Sequence, residues 1–389
     1  MGHEMRKHAL LSASSAHRWL NCPPSARLEE GLPSIVSDAA REGTLAHELA
    51  ELKVSLYSRP LDLSKKAYTA AVKKLKEDEL WDGEMEGYTD EYVEYIKKTA
   101  TAFDAVPYID VEKRLDLTQW IPDGFGTADC ILIGGGVLHV IDFKYGKNPN
   151  GRVEADHNPQ LMCYGLGAYQ ALSLIYKIET IRMTIVQPRL SDGISEWACT
   201  VEELLEFGEK VKKIADLAIK GEGEFNPSEK TCRYCKIRDR CKARAEKNAL
   251  LVLETSKDPK KLTNGEIAKY LKQGADVSAW LSDLQATALA ECLAGREGPG
   301  WKAVEGRSTR DWSNMDKAFE VLTKSGIDEA MLWERRPLSL AQVEKVVGKK
   351  EFAELVGDFV VKKPGKPTIV EESDRRKPID TISAKDVFK

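Results

Sequence analysis

Gly134-Gly135-Gly136 splits two apolar runs, residues 124–133 and 137–143, and constrains the fold more than any other feature of the chain. Runs of apolar and β-branched residues on either side of a short glycine turn read as a hairpin. Residues 108–117 precede it and read as another strand. After it, residues 158–174 carry helical spacing, 180–187 and 194–199 strand patterning, and 201–218 a strongly amphipathic helix. The order helix, three strands, helix, two strands, helix implies an α/β sandwich built on one mixed sheet. Upstream, Ser12 reads as an N-cap before a short helix over 16–20, which Cys22-Pro23-Pro24 stops. A second helix is expected over 45–57 with Thr44 as its N-cap. Residues 61–104 are mostly helical in pattern, with Tyr88, Tyr92, Tyr95 and Ile96 at helical spacing.

Composition sets the outer limits. A chain of 389 residues is too long for one ordinary domain, and its 42% apolar content supports a sizeable core. No stretch approaches eighteen uninterrupted apolar residues, and the N-terminus lacks the apolar centre of a signal peptide. The expected location is the cytoplasm, with no membrane partner. The net charge of −4 excludes a globally basic nucleic-acid binder. Contact with DNA or RNA would have to come from a local patch or through bound metal ions.

Chemistry concentrates in two tracts of the hairpin, Gly126-Thr127-Ala128-Asp129 and Ile141-Asp142-Phe143-Lys144. Strand residues two apart share a face, so Asp142 and Lys144 point together and Phe143 turns into the core. Strand pairing can bring Asp129 beside Asp142. Two carboxylates with a lysine suit Mg²⁺ or Mn²⁺ and the hydrolysis of a phosphodiester. Taken alone, an Asp-x-Lys tripeptide more often marks a surface ion pair. His47, in Gly43-Thr44-Leu45-Ala46-His47, could supply an imidazole ligand, although a lone helix histidine is more often structural. His47-Glu48 does not open a zinc-protease motif, because Glu51 occupies the position where that motif needs histidine. Gln160 and Tyr164 are four apart, on one helical face, and could reach a phosphate or the attacking water.

These four tracts, in this order, resemble the RecB-like branch of the PD-(D/E)XK nuclease superfamily. The resemblance runs over Gly43 to His47, Gly126 to Asp129, Asp142 to Lys144, and Gln160 to Tyr164. It implies a nuclease core with a mixed central sheet flanked by helices. It also implies that His47, Asp129, Asp142 and the Phe143 carbonyl bind metal at the sheet edge. Lys144 would then be the catalytic lysine, with Gln160 and Tyr164 assisting. Glu112 resembles a polar position often found on the first strand of that family.

Eight cysteines occur in the chain. In a cytosolic protein of this size they argue against a disulfide framework. Cys130, Cys163, Cys199 and Cys292 sit in apolar contexts and read as small core residues. Cys232-x₂-Cys235-x₅-Cys241 is a compact set, and Cys22 lies far upstream in Trp19-Leu20-Asn21-Cys22-Pro23. Four thiolates satisfy a [4Fe–4S] cluster or a structural Zn²⁺, and spacing alone does not separate the two. The usual zinc ribbon has two Cys-x₂-Cys pairs, and one is present here. One N-terminal cysteine with a C-terminal Cys-x₂-Cys-x₅-Cys resembles the iron–sulfur staple of AddB-type and CRISPR-adaptation nucleases. The resemblance spans about residues 10–245 and extends to a group of uncharacterised phage and mobile-element proteins.

The expected organisation is a nuclease core with its four-cysteine centre over 1–250 and a mainly helical accessory region over 251–389. Residues 265–295 form a long helical stretch within that region. The basic groups Arg335-Arg336, Lys362-Lys363 and Arg375-Arg376-Lys377 could track phosphates or be solvated surface. The implied activity is metal-dependent DNA cleavage, as an exonuclease or end-processing enzyme in phage or mobile-element recombination or replication. DNA is the implied partner, with a single-strand annealing or single-strand-binding protein as a further candidate. The rival expectation is a non-cleaving DNA-binding scaffold held together by a four-cysteine metal centre. Polarity, strand preference and oligomeric state have no signature in the sequence.

Overall fold

A computed structural model describes residues 9–33, 37–254, 262–296, 301–304 and 315–325, with residues 348, 354–355 and 360. Residues 1–303 form one compact unit and residues 304–389 a second. The described part of the second unit includes the helix Met315–Lys324 (α11). The basic groups at 335–336, 362–363 and 375–377 lie outside the described residues. Among the described residues, no helix is long and apolar enough to cross a membrane.

The first unit is a mixed α/β fold. Short helices Ala16–Asn21 (α1) and Ser25–Leu28 (α2) lead into Asp38–Ser58 (α3), Lys65–Leu75 (α4) and Glu84–Thr101 (α5). Five strands follow: Tyr108–Asp116 (β1), Phe125–Gly134 (β2), Val137–Phe143 (β3), Thr180–Val186 (β4) and Ile194–Thr200 (β5). They pair in sequence order, with every pairing antiparallel except β3 with β4. That parallel step needs a crossover, which Pro159–Leu172 (α6) supplies. Val201–Lys220 (α7) starts at a capping box of Thr200 and Glu203 and ends at Gly221, whose φ of 74° suits glycine. Glu229–Cys232 (α8), Lys242–Glu254 (α9) and Asn264–Leu293 (α10) complete the unit.

The sheet is buried on both faces. Ile131, Leu138, Val140 and Met183 pack with Leu161, Leu166 and Val211 of α6 and α7. Cys130, Leu132, Ile141 and Phe143 pack with Leu49, Tyr92 and Ile96 of α3 and α5. In β1 and β2 the alternation of faces breaks near the middle. Val111 and Cys130 join the α3–α5 side, whereas Leu115 and Ala128 join the α6 side. Residues an even number apart on a regular strand share a face. The reversal occurs where Glu112 takes a φ of 48°, opposite Asp129, a conformation few non-glycine residues adopt.

Two local expectations need correction. The helix expected from residue 45 begins at Asp38, with Ser37 as its N-cap accepting from the Ala40 amide. Thr44 lies inside it, its hydroxyl donating to the Ala40 carbonyl at 3.1 Å. The first two turns carry few apolar side chains, so hydrophobic periodicity starts only at Leu45. Cys292, expected in the core, is half-buried, unlike Cys130, Cys163 and Cys199.

Candidate active site

β3 is the middle strand, so its carboxyl end opens above the centre of the sheet rather than at an edge strand. The β2–β3 register pairs Cys130 with Ile141, which sets Asp129 next to Asp142. Asp129 Oδ2 accepts the Phe143 amide at 2.7 Å. From the α3 side, His47 brings Nε2 to 2.9 Å from the Phe143 carbonyl and 3.5 Å from Asp129 Oδ2. Its Nδ1 is 2.8 Å from the Gly43 carbonyl. A carbonyl can only accept, so both ring nitrogens donate and the imidazole is protonated in this arrangement. Burial alone pulls the His47 pKa down, but Asp129, the Gly43 carbonyl and Asp142 outweigh it and raise it to about 9.

The other half of the site faces α6. Asn158 caps that helix, accepting from the amides of Gln160 and Leu161, and so fixes the turn that carries Gln160. Gln160 Nε2 donates to Asp142 Oδ1 and to the Tyr164 hydroxyl, each at 3.1 Å. Its Oε1 accepts from Lys144 Nζ at 3.1 Å. Every polar atom of this amide is therefore used, and its orientation is fixed by its partners. Lys144 Nζ lies 2.8 Å from Asp142 Oδ2, at ion-pair distance but off the hydrogen-bonding direction, leaving that buried oxygen without a hydrogen bond among the described residues. Burial raises the Asp142 pKa, with the charge of Asp129 adding to it. Asp129 is also buried, but His47 and Lys144 reverse that effect and hold it below the ordinary carboxylate value. Burial opposes the charge on Lys144, yet Asp142 and Asp129 keep its pKa above the ordinary lysine value.

The structure thus brings together His47, Asp129, Asp142, Phe143, Lys144, Gln160 and Tyr164. It adds Glu51 and places Glu112, already singled out on the first strand, beside it. Glu112 and Glu51 line a small cavity with His47, Asp129 and the ring of Tyr92. Burial, with the charges of Asp129 and Glu51, raises the Glu112 pKa to about 7. Burial and Glu48 raise that of Glu51. Glu51 lies four residues after His47, a helical spacing that would have marked it. Tyr234, an exposed residue between Cys232 and Cys235, lies within electrostatic reach of the Lys144 ammonium.

In chemical kind, though not in their present spacing, the residues fit a hard divalent cation: an imidazole, a backbone carbonyl and two carboxylates lie around the end of β3, a mostly oxygen set of the kind Mg²⁺ and Mn²⁺ prefer. Among the described residues, no three His, Cys, Asp or Glu side chains stand close enough together to hold an ion unchanged. The reason is visible in the contacts: His47 Nε2 is spent on the Phe143 carbonyl, and Lys144 covers Asp142.

Cys22, Cys232, Cys235 and Cys241 line one cavity, together with Arg18 and Ser25. All four are free thiols, the first three buried. Glu29 ties the wall together, pairing with Arg18 at 2.9 Å and accepting from the Lys236 amide. Burial pushes the Cys232 thiol up, and Cys235 to about 12. The four cysteines share one cavity, but among the described residues no three of their sulfurs stand close enough together to hold an ion as they are.

Residues 8–377 match the family described as "Protein of unknown function (DUF2800)". The chain belongs to this family. Among solved structures, the DUF2800 chain is similar to "Crystal structure of SSO0001" at 13% identity, over 58% of this chain and 95% of that one. The TM-score is 0.25, too low for the likeness to inform fold or function.

Proposed function

We propose that this chain is a metal-dependent deoxyribonuclease with a PD-(D/E)XK core of the RecB-like kind. One observation carries the reading. Four tracts spread over residues 43–164 meet at the end of β3: His47 lies between the Gly43 carbonyl and Asp129, Asp129 accepts the backbone amide next to Asp142, and Gln160 joins Asp142, Lys144 and Tyr164. A surface ion pair would not recruit a buried carboxylate from the central strand, a histidine from α3 and a glutamine from α6.

His47, Asp129, Asp142 and the Phe143 carbonyl would hold the cation, Mg²⁺ or Mn²⁺. When bound, it supplies Lewis-acid polarisation of a phosphoryl oxygen and acidifies a ligated water. Lys144 stays charged and is aimed beside Asp142, so it can hold the attacking water or offset charge on the phosphoryl oxygens. Gln160 keeps Lys144 and Asp142 in register, and Tyr164 anchors Gln160. End-processing or exonuclease action in DNA recombination or replication is the proposed role, with DNA as substrate. The four-cysteine cavity is proposed to hold a [4Fe–4S] cluster, with Zn²⁺ as the alternative, in a structural role.

The test is cleavage of labelled single- and double-stranded DNA by anaerobically prepared protein with Mn²⁺ or Mg²⁺. Asp142→Ala should abolish cleavage and leave the circular dichroism spectrum intact. Cleavage at the wild-type rate in that variant would remove the assignment. Elemental analysis giving about four irons per chain supports the cluster; one zinc without iron replaces it with a zinc centre.

A further inference from the structure

The long helix α10 is attached to the rest of the first unit by its polar side. Asp276 and Asp283 pair with Arg244, Asp283 also pairs with Arg238, the Thr287 hydroxyl donates to Asp239, and Glu291 pairs with Arg240. Those four helix positions follow at intervals of seven, four and four, so they share one face. The one buried residue of this 30-residue helix is Asp276. Its large aliphatic side chains are on the other side. Ile267, Leu271, Leu281, Leu289 and Leu293 are 43–73% exposed. None of them belongs to either apolar core. A surface helix ordinarily does the reverse, turning its apolar stripe inward and its charges out.

The outward face has an ordered pattern. Leu271, Ala275, Ser278, Ser282, Gln285 and Leu289 are all exposed and follow in alternating steps of four and three. That interval is the one that keeps a seam of one helix facing another. Ile267 and Leu293 continue the row one turn beyond each end. The charged residues in this span, Lys269, Lys272, Asp276, Asp283 and Glu291, all lie off the row. The row also reads the same from either end. About a centre at position 280, Leu271 mirrors Leu289, Ser278 mirrors Ser282, Ile267 mirrors Leu293, and the long Gln285 mirrors the small Ala275.

A surface with this mirror pattern is complementary to itself under a two-fold axis, which is the requirement for an isologous dimer. We infer that the outward face of α10 docks on the α10 of a second copy of this chain, antiparallel, with the axis passing near position 280. Leucine then meets leucine at both ends, serine meets serine at the centre, and each glutamine lies over the partner's alanine. Opposed helix dipoles favour that direction over the parallel one. From 267 to 293 the row is about 39 Å long, and at a helix width of about 10 Å it offers about 400 Å² of footprint on each copy. Two copies therefore cover on the order of 800 Å² before flanking side chains such as Leu281 are counted. This lies at the lower end of specific interfaces, so the dimer forms and dissociates with concentration. The inference does not rest on the cleavage reading.

Sedimentation velocity of the full chain over about 1–100 μM measures the equilibrium. A monomer–dimer transition should appear within that range. Leu271→Lys and Leu289→Glu, each alone, should weaken the dimer about tenfold or more, because each sets a charge against the partner's leucine. Both positions are exposed, so the melting temperature of the dilute monomer should not change in either variant. With both substitutions on one chain, the two new charges of opposite sign face each other twice across an antiparallel pair, and dimerisation should return. A wild-type chain that stays monomeric to about 100 μM would overturn the inference. A dimer unaffected by either single substitution would place the contact elsewhere and overturn it as well. Single substitutions that lower the melting temperature of the dilute monomer would show that another part of the same chain covers the row. A dimer broken by each single substitution and not restored by the pair would rule out the antiparallel arrangement.

Discussion

Gly126→Ala tests whether the glycine of the Gly126-to-Asp129 tract is there to admit Tyr164. A Cβ at position 126 would stand 2.7 Å from Tyr164 Cε1 and 3.3 Å from Cδ1, with the Ala13 methyl at 3.4 Å. Contacts under 3 Å force one partner to move. The Tyr164 ring is 6% exposed and bonded through its hydroxyl to Gln160, so it cannot swing away freely. Overpacking of this kind costs about 1–3 kcal/mol. In a unit of this size each kcal/mol lowers the melting temperature by roughly 2–4 °C. Catalysis should suffer more. A displaced Tyr164 pulls on Gln160, which orients both Asp142 and Lys144, and misplacement of a reacting group by about 1 Å can cost roughly 100-fold in rate. The assay is thermal denaturation and DNA cleavage in a double-mutant cycle with Tyr164→Ala. In that background the added methyl enters vacated space, so Gly126→Ala should be neutral or stabilising, giving a coupling of about 1–2 kcal/mol. An equal cost in both backgrounds, or a single-variant cost under about 0.5 kcal/mol, would refute the steric reasoning.

Four further outcomes are expected. His139, buried in β3 with Nε2 bonded to Thr184, has its pKa lowered to about 3 by burial and Arg182. The native ring is therefore neutral, the unfolded chain binds the extra proton, and stability should fall by about 1.4 kcal/mol per pH unit as pH drops from about 6 toward 3; denaturant titrations of His139→Gln should show a flatter profile, and identical profiles would count against it. Cys235→Ala should lower thermal stability and metal content together, read by melting curves and metal analysis. Arg244→Met strands the buried Asp276 without its cation, while Asp283 keeps Arg238, and should cost about 3–5 kcal/mol, whereas surface-like behaviour near zero would contradict the burial of Arg244 at 1% exposure. Tyr234→Ala, at an exposed position within electrostatic reach of Lys144 but outside the carboxylate network, should raise KM for DNA more than it lowers kcat.

How much of this was legible follows from how local each signal is. The hairpin, α6 and α7 announce themselves through a glycine turn, strand runs and helical apolar spacing, and the strands emerged within a residue or two of expectation. That these side chains lie together was readable because strand period and helix period fix side-chain direction: Asp142 and Lys144 share a face, and so do Gln160 and Tyr164. The reach of His47 across to Phe143 depends on how α3 packs on the sheet, and periodicity is silent on that. Glu51 belongs to no motif, and only its helical interval from His47 marks its carboxylate. The inversion of faces at Glu112 had no local cue, since its φ of 48° arises in a residue that sequence gives no reason to bend. Nor does spacing reveal that Arg244 joins α9 to α10, because an ion pair between two helices has no fixed interval along the chain.

The cysteine cavity also has a consequence in time. Cys22 and its neighbours on α1 and α2 leave the ribosome about two hundred residues before Cys241. At roughly 5–20 residues per second, that interval is on the order of 10–40 s. Throughout it Trp19, which is wholly buried in the finished unit, lacks the helix α7 that covers it, and Cys22 is an accessible thiol without its three companions. The first-made segment of the unit is among the last to be closed, so its apolar face and the Cys22 thiol stay uncovered for longer than in a fold assembled in order from its N-terminus.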